Sequence, residues 1–214
     1  MGVFGAHLKL ELTGDINGDG IDEMVWRNVQ TGSTTVGFYH TDTAFYRNIG
    51  TYASNVRFEA ISDFDNNGFG DILFRNTTTG NTMIRLFDSS VLTTTPSAVW
   101  KSISTIYANL NIVAVQDFNM DGIDDIMVQN PASGRVMVGR MTRNLNTAIN
   151  WTDVISVPPP VQLLNVGDYD GDGFKDILWR NPSSGNLSVT YIENYLPVGT
   201  YYEGNVPTSL AHIK

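Results

Sequence analysis

The amino-acid sequence predicts an all-β fold, a β-propeller of four blades with four antiparallel strands in each. Three observations carry that expectation. A nine-residue acidic window recurs four times, as DINGDGIDE (15–23), DFDNNGFGD (63–71), DFNMDGIDD (117–125) and DYDGDGFKD (168–176), at spacings of 48, 54 and 51 residues. Each window runs into a short apolar segment and then a turn with Gly at a fixed place: MVWRNVQTGS, ILFRNTTTGN, IMVQNPASGR and ILWRNPSSGN. Between the turns lie segments of five to eight residues rich in Val, Ile, Phe, Tyr and Thr and bounded by Gly, Asn and Pro. That is a strand pattern, and no stretch keeps helical spacing for long. A repeat of about 50 residues holding four short strands has the dimensions of a propeller blade.

The strands of each unit follow in order. The first lies upstream of the acidic window, in HLKLELTG, VRFEAIS, LNIVAVQ and VQLLNVG. The second is the apolar run after it, and the third is the alternating stretch TTVGFYH, TMIRLFD, VMVGRMT or LSVTYIE. The Gly-containing turn between them reads as a hairpin connection with a positive-φ glycine. The fourth strand is marked by an aromatic residue. Tyr46, Trp100 and Trp151 each stand 17 residues before the next window's first Asp, and GTYYEGNV (199–206) matches GTYASNV (50–56) for the last unit. The expected organisation is a single domain, 1–214, with units at approximately 5–54, 55–108, 109–158 and 159–214. A blade alone leaves both faces of its sheet uncovered, so blades are expected to cover one another, which suits apolar second strands such as ILFR and ILWR. The favoured arrangement is a closed four-bladed ring. A larger ring completed by a second chain, or a piece of a longer array, are the alternatives. AHIK (211–214) echoes AHLK (6–9) and reads either as the start of a further repeat or as a fastening for the ring.

Composition narrows the function classes. The chain has 214 residues, a net charge of −9 and no cysteine. Disulfides, thiolate metal sites and a cysteine nucleophile are thereby excluded. The charge has the wrong sign for a nucleic-acid backbone as partner. No apolar run reaches the length of a membrane helix, so no membrane insertion is expected. The acids are concentrated: 15 of the 22 Asp and Glu fall within the four windows. So much like charge in one short loop is costly unless a cation offsets it.

Counted from the first Asp, positions 1, 3 and 5 are Asp15, Asn17, Asp19; Asp63, Asp65, Asn67; Asp117, Asn119, Asp121; and Asp168, Asp170, Asp172. Position 6 is always Gly, and position 9 is always acidic, as Glu23, Asp71, Asp125 or Asp176. Alternating oxygen donors on a tightly turned loop suit a hard cation of calcium's size, with position 7 adding a backbone carbonyl from Ile21, Phe69, Ile123 or Phe174. Up to four Ca²⁺ are expected, offsetting eight of the nine excess negative charges. The second loop is expected to be weakest, because Asn67 replaces a carboxylate. An EF-hand opens in the same way but needs a bidentate Glu at position 12 and flanking helices. Here that position is Trp26, Phe74, Val128 or Trp179 inside a predicted strand, so the EF-hand reading fails.

With these loops in view, the DFNxDGxxDIxxxN pattern resembles the FG-GAP/VCBS-type repeats of bacterial surface and secreted proteins, related to the calcium-bearing blades of integrin α-subunit propellers and similar to the blades of a seven-bladed fungal lectin. The resemblance covers essentially the whole chain. It implies a propeller with Ca²⁺ in the loop joining the first and second strands of each blade, and a secreted or cell-surface location. The chain lacks the Gly-Ala-Pro signature of the integrin version, so an integrin-like ligand face does not follow.

Catalysis is not expected. His7, His40 and His212 are scattered outside the repeat, no nucleophile motif or phosphate loop is present, and carboxylates holding calcium stay ionised and unsuited to general-acid work. The expected function is a calcium-stabilised recognition module, carbohydrate-binding or adhesive, with a glycan or protein ligand. A scaffolding propeller, with or without a homo-oligomer completing the ring, is the alternative, and a polysaccharide-degrading enzyme a more distant one. Trp100 and Trp151 are candidate ligand-stacking residues. Specificity is expected from what does not repeat, in the loops at 88–98, 142–148 and 156–162. Arg27, Arg75 and Arg180, where the third unit has Gln129, are expected to make hydrogen bonds between blades.

Overall fold

The computed structural model describes residues 7–39, 44–93, 96, 99–146 and 149–205. Among these are sixteen strands in four antiparallel sheets, each a simple meander drawn from one repeat. Blade one holds β1 (Leu8–Gly14), β2 (Glu23–Asn28), β3 (Ser33–Tyr39) and β4 (Ala44–Thr51). Blade two holds β5 (Val56–Ser62), β6 (Asp71–Asn76), β7 (Asn81–Leu86) and β8 (Val99–Thr105), with a single 3-10 turn at Ser89–Leu92. Blade three holds β9 (Asn111–Gln116), β10 (Asp125–Gln129), β11 (Arg135–Arg140) and β12 (Asn150–Ser156). Blade four holds β13 (Gln162–Gly167), β14 (Asp176–Arg180), β15 (Asn186–Glu193) and β16 (Leu196–Asn205). These are four propeller-type blades, as the repeat length predicts. The chain packs as two compact units, residues 1–108 with 142–148, and residues 109–141 with 149–214. The AHIK echo at 211–214 lies outside the described residues.

The Asn-x-x-x-Gly turn explains itself in hydrogen bonds. Asn76 Oδ1 accepts from Thr78 N (2.9 Å) and Thr79 N (3.0 Å), while its own carbonyl accepts from Gly80 N (2.8 Å). Asn28, Asn130 and Asn181 do the same in the other blades. The glycine then returns the chain at φ near 75°, and its carbonyl accepts from the residue just after the fourth strand, as in Ile106 N→Gly80 O at 2.8 Å. A Cβ on Gly80 would stand 2.7 Å from Ile106 O, so glycine is required by space as well as by φ.

Every blade also carries two β-bulges that the repeat pattern does not announce, and blade four has a third at Val198. One inserts Glu11, Glu59, Val113 or Leu164 into the first strand, and the other inserts Ile49, Ile103, Val154 or Glu203 into the fourth. A bulge bends and twists its strand, and in blades one and two it also places an acid. Glu11 pairs with Arg27 at 2.6 Å and Glu59 with Arg75 at 2.8 Å, all four side chains at most 10% exposed. Arg27 Nη1 goes on to donate to Val56 O (2.8 Å) and Ala53 O (3.2 Å), tying blade one to the start of β5.

The second strands are the most buried. In β6 the first five residues are buried, and in β10 the first four, so both faces of these strands meet protein. In the first unit Tyr52 stacks on Phe74 (4.8 Å between centroids, 10°), and Phe58 meets both edge-on among Ile16, Val36, Phe38 and Ile72. In the second unit Phe118, Met127, Val138, Ile177 and Trp179 form the core. Trp179 Nε1 donates to Thr190 Oγ1 at 2.9 Å, satisfying its one polar atom.

Gly80→Ala and Gly122→Ala both place a side chain at positive φ, but only the first also meets a backbone carbonyl. Urea unfolding is expected to show a loss of about 1–2 kcal/mol for Gly122→Ala, and clearly more for Gly80→Ala. Equal midpoints would contradict the steric account.

Candidate metal centres

All four acidic loops are shaped by one hydrogen-bond scheme. The position 1 carboxylate accepts from the position 6 glycine N–H: Gly20 to Asp15, Gly68 to Asp63 and Gly122 to Asp117 at 2.8 Å, and Gly173 to Asp168 at 3.0 Å. The position 5 oxygen accepts from the position 7 N–H, from Ile21, Phe69, Ile123 and Phe174, at 2.8–3.0 Å. These contacts fold each loop back on its position 1 and position 5 side chains.

Position 9 has a second task. Glu23, Asp71, Asp125 and Asp176 are at most 1% exposed. Asp71 accepts from Phe64 N (3.0 Å) and from Phe87 N (2.8 Å), one at the loop entrance and one just past β7. Asp125 does the same with Phe118 N and Met141 N (2.8 Å), and Asp176 accepts from Tyr169 N (2.8 Å) and from Ile192 N (3.0 Å) near the end of β15. Glu23, one methylene longer, takes Ile16 N (2.8 Å) and Asn17 N (3.3 Å). Burial pushes the Glu23 and Asp71 carboxyls up to about 7 and Asp125 up to about 6, partly offset by these N–H donors; Asp176 is raised for the same reason.

The loops differ at position 3. Where it is Asp, three carboxylates converge, with ligand atoms of Asp63, Asp65 and Asp71, and of Asp168, Asp170 and Asp176, within 4.8 Å of one another. Asp65 Oδ1 is buried and accepts no hydrogen bond, and burial together with Asp63 raises its pKa. An orphaned buried carboxylate oxygen beside two more is the donor set a hard divalent cation takes. Where position 3 is Asn, the amide N–H bridges the acids instead: Asn17 Nδ2 to Asp19 (3.1 Å) and Glu23 (3.2 Å), and Asn119 Nδ2 to Asp121 (2.9 Å). Loop three is further satisfied from outside. Arg140 pairs with Asp121 at 3.2 Å, and Tyr195, from the β15–β16 turn, donates its hydroxyl to Asp125 at 2.9 Å and accepts from Asn119 Nδ2. Burial and Asp125 raise the Tyr195 hydroxyl.

Asn67 is spent elsewhere, with Oδ1 on Phe69 N and Nδ2 donating to Phe87 O at 2.7 Å. Loops one and two abut: Gly70 N donates to Ile16 O at 3.1 Å.

A family model described as the FG-GAP repeat matches residues 162–206, which spans β13 to β16. Blade four is thus the part of the chain that matches the FG-GAP repeat. The other three blades share with this FG-GAP unit the strand order, the acidic loop and the Asn-x-x-x-Gly turn, consistent with an FG-GAP-type repeat family. A comparison with curated proteins finds none that matches. FG-GAP repeats occur in extracellular and surface proteins, and among the described residues no helix is long and apolar enough to cross a membrane.

The two tryptophans proposed as ligand residues part company. They hold equivalent places, Trp100 opposite Arg85 and Trp151 opposite Gly139. Trp151 lies over its glycine, with ring atoms 2.8–2.9 Å from where a Cβ would stand, and so fills a gap in its own sheet. Trp100 is 38% exposed and lines a cleft with Tyr52 and Phe74. The residue across the strand is the signal that separates them. His7 is exposed in a turn, and His40 and His212 lie outside the described residues.

Asp125→Ala strips the acceptor from two backbone N–H groups and the Tyr195 hydroxyl, and is expected to cost on the order of 3 kcal/mol in calcium-free buffer. Asp170→Ala, on an exposed position, is expected to leave calcium-free stability nearly unchanged. Chemical denaturation of both variants checks this, and matching losses would mean that position 9 has no separate structural task.

Proposed function

We propose that this chain is a calcium-stabilised, non-catalytic recognition module that binds carbohydrate, secreted or displayed at a cell surface. The observation that carries the reading is the convergence of three carboxylates in each of loops two and four, with Asp65 Oδ1 unpartnered. All-oxygen donors without His or Cys favour a hard cation, and the irregular, flexible donor set suits Ca²⁺ better than Mg²⁺, which keeps its waters. Bound calcium supplies positive charge that holds the buried carboxylates ionised.

The residues that would hold it are those of positions 1, 3, 5 and 9, with Ile21, Phe69, Ile123 and Phe174 offering carbonyls. The loops are not equivalent. Loops two and four present Asp at position 3. In loops one and three the Asn amide must turn its oxygen inward, and loop three must also release Arg140 and Tyr195. This ranks loop two above the place its missing position 5 carboxylate suggests. The order of filling follows: loops four and two first, then one, then three. Carboxylates committed to a cation lack the proton a general acid gives, which supports recognition over catalysis.

Calorimetric calcium titration is expected to resolve two tighter ions from weaker ones, and Asp172→Ala to weaken a tight site while Asn67→Ala shows mainly as lost stability. A single class of four equal sites would reject the ranking. At 1 mM calcium, a site with Kd of ~10⁻⁴–10⁻³ M adds roughly 0.4–1.4 kcal/mol. EDTA is therefore expected to lower Tm by several degrees, and an unchanged melt would remove the stabilising role. A glycan array probed with labelled protein in calcium and in EDTA tests the ligand class. Hits sharing a sugar support the reading, and a blank array from folded protein turns it towards a protein ligand.

A further inference from the structure

We infer that the cleft beside Trp100 in blade two is a binding site for a neutral pyranose sugar; this deepens the recognition reading above and rests on it. The cleft measures about 560 Å³, within the range of small-ligand sites. Its wall is aromatic. Phe74 stacks on Tyr52, and the Trp100 ring stands 5.5 Å from Phe74 and 6.1 Å from Tyr52, with Met83 alongside.

The wall is held rigid from within. Arg85 is 4% exposed, and its guanidinium carbon lies 5.7 Å over the Trp100 ring and 5.0 Å over Phe87. Its Nη1 donates to Tyr52 Oη at 3.0 Å and to Ile49 O. A platform fixed before the ligand arrives loses little freedom on binding.

The rim is polar and uncharged. Asn76 has its Oδ1 engaged by Thr78 N and Thr79 N, which leaves the Nδ2 of a fixed amide as an open donor. Asn81 is exposed, and its side-chain amide makes no hydrogen bond among the described residues. Thr51 adds a hydroxyl, and among the described residues lining the cleft none is ionisable except Tyr52. An apolar ring face bordered by amides and a hydroxyl matches a pyranose, whose C–H face stacks on indole while its hydroxyls exchange hydrogen bonds with amides. The lack of a cation on the rim gives no reason to select an acidic sugar.

Among the described residues the other blades do not repeat this arrangement. At the place of Trp100, blade three has Trp151 laid over Gly139, blade one has Tyr46 opposite Gly37 and edge-on to Tyr39, and blade four has Thr200. Arg85 stands where blades one and three have glycine, so the ring cannot fold back over the strand.

The test is an array of defined neutral and acidic oligosaccharides, followed by titration of the best neutral glycan into the calcium-loaded wild type and three variants. Trp100→Ala is expected to weaken binding roughly tenfold or more, Asn81→Ala several-fold, and Tyr46→Ala not at all. Neutral-glycan binding that survives Trp100→Ala and Asn81→Ala overturns this site while leaving the recognition reading intact. Equal loss with Tyr46→Ala, or a preference for acidic glycans, also overturns it. A blank array from folded wild type overturns the carbohydrate reading and this site with it. Where Trp100→Ala fails to fold, Asn81→Ala decides, since its amide supports no other contact.

Discussion

The structure depends on a buried carboxylate at the end of each acidic loop. Glu23, Asp71, Asp125 and Asp176 open the second strands and are themselves at most 1% exposed, and an ionised group there is costly unless its charge is met. In three of the blades the carboxylate is met by two backbone N–H groups that come from different parts of the blade. The acid therefore joins the loop to the far end of the third strand. The acidic loop and the sheet are one mechanical object, and a change in the charge state of the loop is felt by the strand behind it.

Around that constraint the repeated residues divide by task. The Asn-x-x-x-Gly turn closes the second hairpin and, through the glycine carbonyl, receives the chain leaving the fourth strand. The two bulges bend the outer strands, and in blades one and two the first bulge aims a glutamate at an arginine on the neighbouring strand. None of this needs a ligand. Repetition here reports the demands of building a blade.

The departures from repetition are what distinguish one blade from another. Asp or Asn at position 3 decides whether carboxylates converge or are bridged by an amide. Arg85 in place of glycine decides whether a tryptophan covers its own sheet or stands beside a cleft. Tyr195 and Arg140 reach loop three from elsewhere in the fold and satisfy acids whose counterparts in loop four converge on one another. One scaffold thus carries acidic loops that differ in their hydrogen bonding and one cleft unlike the rest.

The sequence by itself determined the all-β class, the four blades, the strand order and the four acidic loops, because strand alternation, turn glycines and ligand spacing are local and survive in a linear reading. It also marked Trp100 and Trp151 as a pair. Only the tertiary structure decided that one is packed and the other open, since the difference lies across the strand, in Arg85 and Gly139, fifteen and twelve residues away in the chain. The bulges, the second hydrogen bond of position 9 and the reach of Tyr195 were equally hidden. Each joins groups 16 to 70 residues apart through backbone atoms or a single side chain, and such pairings leave no periodic trace in the sequence.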